Sequence, residues 1–294
     1  MRISVLDQSP VPEGCSGAAA LRNTVDLARC ADRLGFHRYW VAEHHGGPML
    51  AGPSPEVLIG PLASATERIR VGSGGVMLPH YSPLKVAESF SVLAGLFPDR
   101  IDLGIGRAPG TDGQTMLALQ RDRRQLVPDD FSDQLAELLG HLEDALPHGH
   151  PFARYGKWLP GRPERPDVWL LGSSVQSALW AAELGLPYAF ADFINSDGAE
   201  IARTYRERFA ASRRREAPEV SVGVWALAAD SDEEAQLLAS SARMAMTLLR
   251  EGRLIEVPPV EKAVRFLASR GIPLDGSRSR RRTIVGTAER VRAE

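Results

Sequence analysis

Short apolar runs, rich in β-branched residues, alternate with longer amphipathic stretches along this chain of 294 residues. Runs that are apolar on both faces predict buried parallel strands, and the amphipathic stretches predict the helices that cover them. The pattern predicts seven strands, at Ile3–Leu6, Arg38–Ala42, Val71–Leu78, Arg100–Gly106, Val168–Leu171, Tyr188–Phe193 and Val220–Ala228. Because a helix follows each strand, the pattern favours a (β/α)8 TIM barrel over an open doubly wound sheet.

The last part of the chain leaves the predicted barrel incomplete. Thr283–Gly286 predicts one more strand and Thr287–Glu294 the start of a helix, but a closed barrel needs another strand after that helix. We therefore expect an α/β TIM barrel whose last strand and helix are missing from this chain. Residues 1–294 are predicted to form one domain, with an insertion around 109–166 over the barrel mouth that sets specificity through Tyr155 and Trp158.

Composition narrows the class of protein. Apolar residues make up 44% of the chain and charged residues 24%, and the formal net charge is -2, which excludes a disordered chain. This charge provides no general field that would attract nucleic acid or a membrane surface. No apolar run is long enough to span a membrane, and an aspartate stands where a signal peptide needs its apolar stretch. We expect a cytoplasmic protein.

The first candidate for chemistry is Glu43-His44-His45, directly after the second predicted strand. The carboxyl ends of barrel strands point into the active-site mouth. An imidazole pair beside a carboxylate supplies a proton donor or acceptor near neutral pH, and a partner that fixes its tautomer. A loop-capping role for the histidines is the alternative. No third ligand follows at metal-binding spacing, so we expect no metal site.

Glycines mark the third and fourth predicted strands. Gly74 and Gly75 leave the backbone bare where a flat ligand could approach it, although a structural bulge would also explain them. Gly104–Gly110 nearly matches a dinucleotide fingerprint, but Pro109 replaces the third glycine and no helix follows, so the Rossmann interpretation fails. Arg107 in this segment offers a guanidinium suited to phosphate, with a surface salt bridge as the alternative.

Three serines lie between the fifth predicted strand and the next helix: Ser173, Ser174 and Ser177. Ser174 is placed as the helix N-cap, and a helix N-terminus with several hydroxyls is suited to bind phosphate. Capping alone explains one serine, whereas three beside an arginine on the neighbouring strand favour an anion site. The four features together predict a phosphate clamp, a flat backbone surface and a histidine, which is what a flavin mononucleotide site requires.

These residues resemble the bacterial luciferase-like, flavin-dependent monooxygenases. The resemblance covers the chain from residue 1 to about 293, and the matching segments are Val41–His45, Val71–Pro79, Gly104–Arg107, Leu171–Ser174 and Ala181–Pro187. One departure is Gly106, which stands where luciferase has its reactive cysteine, so the resemblance does not extend to thiol chemistry beside the flavin. Family members also continue for a further strand and helix.

The resemblance implies roles for individual residues. His44 would be the active-site histidine that assists the reaction of reduced flavin with oxygen and substrate. Arg107 and the three serines, Ser173, Ser174 and Ser177, would hold the FMN phosphate. The bond between Gly74 and Gly75 would be a non-prolyl cis peptide under the isoalloxazine ring, a geometry that glycine at both positions eases.

The resemblance also implies a two-component monooxygenase. A separate flavin reductase would supply FMN in its reduced form, FMNH2, because the chain has no nicotinamide fingerprint. Molecular oxygen would then oxygenate a small organic substrate. The alternatives are an oxidoreductase that uses the deazaflavin F420 and transfers hydride without oxygen, and a non-catalytic flavin-binding relative. A homodimer through helices on one side of the barrel is also expected.

Overall fold

The computed structural model describes residues 1–107, 111–120, 130–276 and 283–294, which form two compact units. The first unit consists of Met1–Ser9, Leu21–Gly46 and Gly52–Leu171, and the second of Pro10–Ala20, Gly47–Ala51 and Gly172–Glu294. Strands alternate with helices in both units, as the hydrophobic pattern predicts.

Five parallel strands pair in chain order in the first unit. They are β1 Val5–Asp7, β2 Arg38–Val41, β3 Arg70–Met77, β4 Ile101–Gly106 and β5 Asp167–Gly172. The helices in this part of the chain are α1 Gly17–Arg33, α2 Pro55–Ser64, α3 Pro83–Leu96, α4 Gly113–Leu119 and α5 Phe131–Glu143, with 3₁₀ turns at Leu78–His80 and Ala153–Trp158. Because the strands are parallel, their carboxyl ends share one edge, and the segments that follow them meet there.

The core of the first unit is filled by large side chains from both strands and helices. Tyr39 and Trp169 from strands, and Ile59, Leu62 and Phe90 from helices, have at most 1% of their surface exposed. All six positions of β4 are buried, and five of them are apolar residues or glycine, whereas the sixth is Asp102. Each buried large side chain contributes about 1.5–3 kcal/mol, so this core holds the strand edge rigid.

A buried ion cluster ties four strands together at their amino-terminal edge. Asp102 of β4 is fully buried and accepts hydrogen bonds from Arg38 Nη1 at 2.6 Å and Arg70 Nε at 2.8 Å. Trp40 Nε1 donates to the same carboxylate at 2.8 Å. Arg38 also lies 3.5 Å from Asp167 at the start of β5. The buried carboxylate is therefore compensated by charge and hydrogen bonds, as burial of a charge requires.

The second unit contains two parallel strand pairs. β6 Tyr188–Ala191 pairs with β7 Val220–Gly223, and β8 Trp225–Ala229 pairs with β9 Thr283–Thr287. Its helices are α6 Val175–Glu183, α7 Gly198–Arg208, α8 Asp232–Arg250, α9 Val260–Ser269 and α10 Ala288–Ala293.

One strand prediction was wrong. The predicted strand Val220–Ala228 is two strands that are interrupted at Val224 and pair with different neighbours. The hydrophobic run cannot reveal this break, because both halves have the composition of a strand and only their partners differ. The strand predicted at Thr283–Gly286 is confirmed as β9.

Candidate active site

Glu43 organises the segment that follows β2. Its side chain is fully buried, and its carboxylate accepts hydrogen bonds from the Met77 backbone N–H at 2.8 Å and the Tyr81 hydroxyl at 3.1 Å. His45 Nε2 lies 2.8 Å from the same carboxylate. Three partners satisfy the buried oxygens and fix the loop after β2 against the end of β3. Burial and the charge of Glu43 raise the pKa of Tyr81 far above its ordinary value, so its hydroxyl stays protonated and acts as a donor.

The two histidines of the motif have different surroundings. His45 bonds to Glu43 and packs edge-on against the His80 ring, with 5.8 Å between the centroids. His44 is half-buried, and its Nε2 lies 3.4 Å from the side-chain amide of Gln8, directly after β1. A neutral His44 that accepts this bond carries its proton on Nδ1. The structure therefore gives His45 a carboxylate partner and places His44 beside the side-chain amide of Gln8.

A second carboxylate lies near this group. Burial, followed by the negative charge of Glu43, raises the pKa of Glu56 in the first turn of α2. Its Oε2 is buried and has no hydrogen-bond partner among the described residues. The site thus combines a carboxylate that has three hydrogen-bond partners with one that burial favours in its neutral form.

The loop that follows the histidines is held by the start of the predicted insertion. Thr111 donates its hydroxyl to the His45 carbonyl at 3.1 Å. Gly46 has φ +79°, and a Cβ there would lie 2.6 Å from Thr115 Oγ1. Tyr155 and Trp158, by contrast, lie in the 3₁₀ turn beside Gly156, which packs against the His141 carbonyl at the end of α5. The contribution of these two aromatic side chains to specificity stays a prediction.

The glycines of β3 and β4 allow the two strands to approach closely. The Gly74–Gly75 bond is cis, as expected, and the register shifts between Gly74 and Val76. A Cβ on Gly75 would lie 2.8 Å from the Gly104 carbonyl oxygen, and one on Gly74 would lie 2.6 Å from Leu6. The close approach of the strands and the bulge are therefore sufficient reasons for glycine at both positions. Their predicted contact with a flavin ring stays a prediction.

Arg107 directly follows β4 and is exposed at the same strand edge. Residues 108–110, which include Pro109 of the near-fingerprint, lie outside the described residues. Gly106 lies in β4, where a Cβ would come within 3.2 Å of Met77 Sδ. The guanidinium of Arg107 has the chemistry of a phosphate ligand.

The three serines lie together in the second unit, at the start of α6. Ser174 caps the helix by accepting from the Ser177 backbone N–H at 3.3 Å, and Ser177 Oγ donates to the Ser174 carbonyl at 2.8 Å. Ser177 Oγ also lies 2.9 Å from Tyr188 Oη, and Asn195 Nδ2 donates to the Ser173 carbonyl at 2.8 Å. Ser174 is exposed whereas Ser177 is buried. The hydroxyl of Ser177 therefore has a structural use, and the exposed helix terminus beside Ser174 has the donors that phosphate requires.

Sequence reasoning missed three residues of this group: Gln8, Glu56 and Tyr81. Gln8 and Tyr81 follow the ends of β1 and β3, so the rule that led to Glu43 also applies to them. Glu56 gave no signal, because a glutamate in the first turn of a helix is common. Among the residues that the structure describes, no cluster of His, Cys, Asp and Glu has metal-site geometry, and no helix is long and apolar enough to cross a membrane.

The donor set of this chain fits a flavin mononucleotide. A phosphate requires an arginine or an exposed helix N-terminus, and the chain has both, in Arg107 and at the start of α6. An imidazole with an amide neighbour lies at the carboxyl edge of a parallel sheet, where α/β folds bind their substrates. Fold and side chains together are those of an α/β enzyme whose chemistry lies at the strand ends.

Comparison with known proteins identifies the family. The family model of luciferase-like monooxygenases matches residues 1–294, so the chain belongs to this family. It is 45% identical over 259 residues to a luciferase-like monooxygenase of Escherichia coli (strain K12), which covers 87% of this chain and 75% of that protein. It is 40% identical over 298 residues to an N-acetyl-S-alkylcysteine monooxygenase of Bacillus subtilis (strain 168), which covers 100% of this chain and 87% of that protein.

Solved structures confirm the fold class. The crystal structure of apo-MsnO8 is 41% identical, covers 99% of this chain and 87% of its own, and superposes with a TM-score of 0.88. More distant structures share the fold at 19% and 14% identity, with TM-scores of 0.70 and 0.63. They are an oxygenating component of a Baeyer–Villiger monooxygenase in complex with FMN and an F420-dependent alcohol dehydrogenase. The chain has the expected α/β TIM-barrel-like fold.

Proposed function

We propose that this protein is an FMN-dependent monooxygenase that receives FMNH2 from a separate reductase. The observation that carries the proposal is the arrangement at the carboxyl edge, where His44 lies 3.4 Å from Gln8 and follows the fully buried Glu43. When bound, reduced FMN supplies the two electrons with which one atom of O2 enters the substrate and the other leaves as water.

Each residue of the site has a distinct task in this proposal. His44 donates or accepts a proton at Nδ1, and the side-chain amide of Gln8, which donates to Nε2, orients the ring. His45 does not react, because its Nε2 bonds to Glu43 and keeps the loop in place. Glu43 and Tyr81 act as positioning residues, since they touch this loop and not the reacting groups.

The resemblance to the family implies which residues would hold the cofactor. Arg107, Ser173 and the exposed Ser174 would supply donors for the phosphate, and the buried Ser177 would support the helix cap. The backbone of β3 at Gly74 and Gly75 would face the isoalloxazine ring. A Baeyer–Villiger monooxygenase component of the same fold is known in complex with FMN, which supports FMN as the cofactor, and the F420 complex of an alcohol dehydrogenase of this fold keeps the deazaflavin as the competing cofactor.

The deciding experiment is an anaerobic titration with reduced FMN and, separately, reduced F420. We expect FMNH2 to bind more tightly, and a flavin reductase with NADH to support incorporation of one ¹⁸O atom from ¹⁸O2 into a substrate. N-acetyl-S-alkylcysteines form the first substrate panel, because a relative at 40% identity is named for them. If the protein prefers F420, or transfers hydride without oxygen, then F420 and not FMN is its cofactor.

The role of His44 is tested by His44→Ala. We expect turnover to fall by about 10²–10⁴-fold, the range of general acid–base catalysis, while the affinity for FMNH2 changes little. The matched control is His148→Ala. His148 is exposed and lies in the segment between α5 and β5, so it does not directly follow a strand. Equal turnover in the two variants would remove His44 from the mechanism, and FMN binding without any turnover in the wild type would indicate a non-catalytic relative.

The proposal also includes a transient reductase partner, a homodimer and a cytoplasmic location. Measuring the molar mass of the purified protein by light scattering tests the dimer. A monomer that is fully active would remove dimerisation from the proposal.

A further inference from the structure

A cavity of about 550 Å³ lies in the first unit, at the amino-terminal edge of β1, β2 and β3. It is at the opposite end of these strands from His44, and β3 alone is eight residues, or about 25 Å, long. Its lining includes three arginines, Arg2, Arg68 and Arg70, and an apolar part made by Ile3, Leu34 and Phe36. Ile3 and Leu34 are 58% and 70% exposed, so the apolar part is open to a ligand.

Two carboxylates lie near the arginines of this cavity, and Arg68 Nη2 donates to the backbone carbonyl of one of them, Asp32, at 3.1 Å. Asp32, in the cavity wall, uses its side-chain oxygens to accept hydrogen bonds from the backbone N–H groups of Glu67, Arg68 and Ile69, at 2.8–3.2 Å. Asp102 Oδ1 lies 2.7 Å from Arg70 Nη2, so this carboxylate neutralises the charge of Arg70. Within the described parts of the chain, neither Arg2 nor Arg68 has a carboxylate oxygen within 4.0 Å of its guanidinium.

We propose that this cavity is a second binding site, for a small organic anion whose carboxylate or phosphate group lies between Arg2 and Arg68. The apolar part of the ligand packs on Ile3, Leu34 and Phe36. Guanidinium groups bind carboxylate and phosphate alike through paired N–H donors, so the two head groups share one chemistry. The site is independent of the FMN site, because it lies at the other edge of the sheet.

His37 reports on the charge of this cavity. Its Nε2 lies 3.4 Å from Arg2 Nη1. Burial lowers the pKa of His37, and the positive charges of Arg38, Arg2 and Arg70 lower it further, while Asp102 opposes them. An anion bound at Arg2 would offset part of this positive field and raise the pKa of His37.

The test is an NMR titration of the His37 ring signals in the full-length protein with phenyl phosphate, benzoate, phenol and inorganic phosphate. We expect phenyl phosphate and benzoate to shift these signals and to raise the pKa of His37 by about one unit. Phenol carries no charge and should leave the pKa unchanged. Inorganic phosphate has no apolar part and should bind at least tenfold more weakly than phenyl phosphate.

Variants assign the effect to the arginines. Arg68→Gln and Arg2→Gln should each weaken phenyl phosphate binding about tenfold, the loss expected for one charge-assisted hydrogen bond, with FMN affinity unchanged. Arg203→Gln makes the same change in net charge at an exposed site of the second unit and should have no effect. If Arg68→Gln does not fold, the Arg2→Gln variant, which changes an exposed residue, and the titration of the wild-type protein still test the proposal.

Three results would overturn the inference. Unchanged His37 signals at millimolar phenyl phosphate would show that no anion binds. Equal binding of phenol would show an apolar groove without anion recognition. Equal weakening by Arg203→Gln would show that net charge, and not this cavity, attracts the probe.

Discussion

Glu56 is a residue whose surroundings oppose its charge. Burial and the neighbouring charge of Glu43 raise the pKa of Glu56 above its ordinary value of 4.5, so the folded protein holds this proton more tightly than the unfolded chain does. The stability that this proton contributes is present below pH 4.5 and is lost as the pH rises through the folded-state pKa. Above pH 4.5 this carboxyl group therefore makes the folded protein less stable than an uncharged side chain of the same shape would.

We predict that Glu56→Gln stabilises the protein at pH 7, because glutamine removes the buried charge and keeps the shape. The gain should shrink as the pH falls and vanish below pH 4.5, where the glutamate is neutral as well. Thermal unfolding of both proteins at several pH values measures this difference.

Asp32 gives the contrasting control. Burial opposes the charge of Asp32, but hydrogen bonds from three backbone N–H groups outweigh it and lower its pKa below 3.8. The stability that Asp32 contributes is therefore present above pH 3.8 and is lost at lower pH, so Asp32→Asn should destabilise the protein at pH 7. A Glu56→Gln variant that is also less stable at pH 7 would contradict the role given to burial.

The pairing of β3 with β4 is decided by glycines. A Cβ on Gly104 would lie 2.2 Å from the Ser73 carbonyl oxygen, and one on Gly72 would lie 2.4 Å from the Asp102 carbonyl oxygen. Backbone atoms cannot move aside as a flexible side chain can. The two strands therefore fit together only where these positions lack a side chain, and the end of β4 that precedes Arg107 depends on this fit.

We predict that Gly104→Ala destabilises the protein by about 1–3 kcal/mol, the usual range for overpacking. Gly113→Ala is the matched control, because Gly113 starts α4 and a Cβ there would meet nothing within 4 Å. In a helix, this change should be neutral or stabilising by up to about 1 kcal/mol. Chemical denaturation measures both, and equal effects would show that the close approach carries no cost.

Several elements could be predicted from the sequence, and others could not. The repeated change between apolar strands and amphipathic helices predicts the order of elements, and the carboxyl-end rule leads to Glu43 and His44. The break at Val224 could not be predicted, because it depends on which neighbour each half pairs with. The direction of the 3₁₀ turn that carries Tyr155 and Trp158 depends on its packing against α5.

On the scale of the molecule, the first unit separates stability from chemistry along its strands. The ion cluster of Arg38, Arg70, Asp102 and Asp167 lies where the strands begin, and the histidines lie where they end. The proposed anion cavity lies beside the ion cluster. A change at one end can therefore alter the stability of the unit without touching the groups at the other end.

We predict that Asp102→Asn destabilises the protein by about 3–5 kcal/mol, because it removes the carboxylate partner of Arg70 and the closer of the two carboxylate partners of the buried Arg38. The Asp102→Asn protein that remains folded should bind FMNH2 with unchanged affinity. Asp26→Asn is the control, since Asp26 forms an exposed pair with Arg29 that contributes little. A loss of FMNH2 affinity at temperatures where the variant is folded would contradict this separation.

The sequence by itself determined the alternation of strands and helices, the family and the position of His44, because these depend on local pattern and on which strand a residue follows. Only the tertiary structure decided that Glu43 binds His45 and Tyr81, that Glu56 is buried beside them and that Ser177 is used in a helix cap. Such contacts join residues from different elements. Their energies depend on distance and burial, which no local pattern encodes.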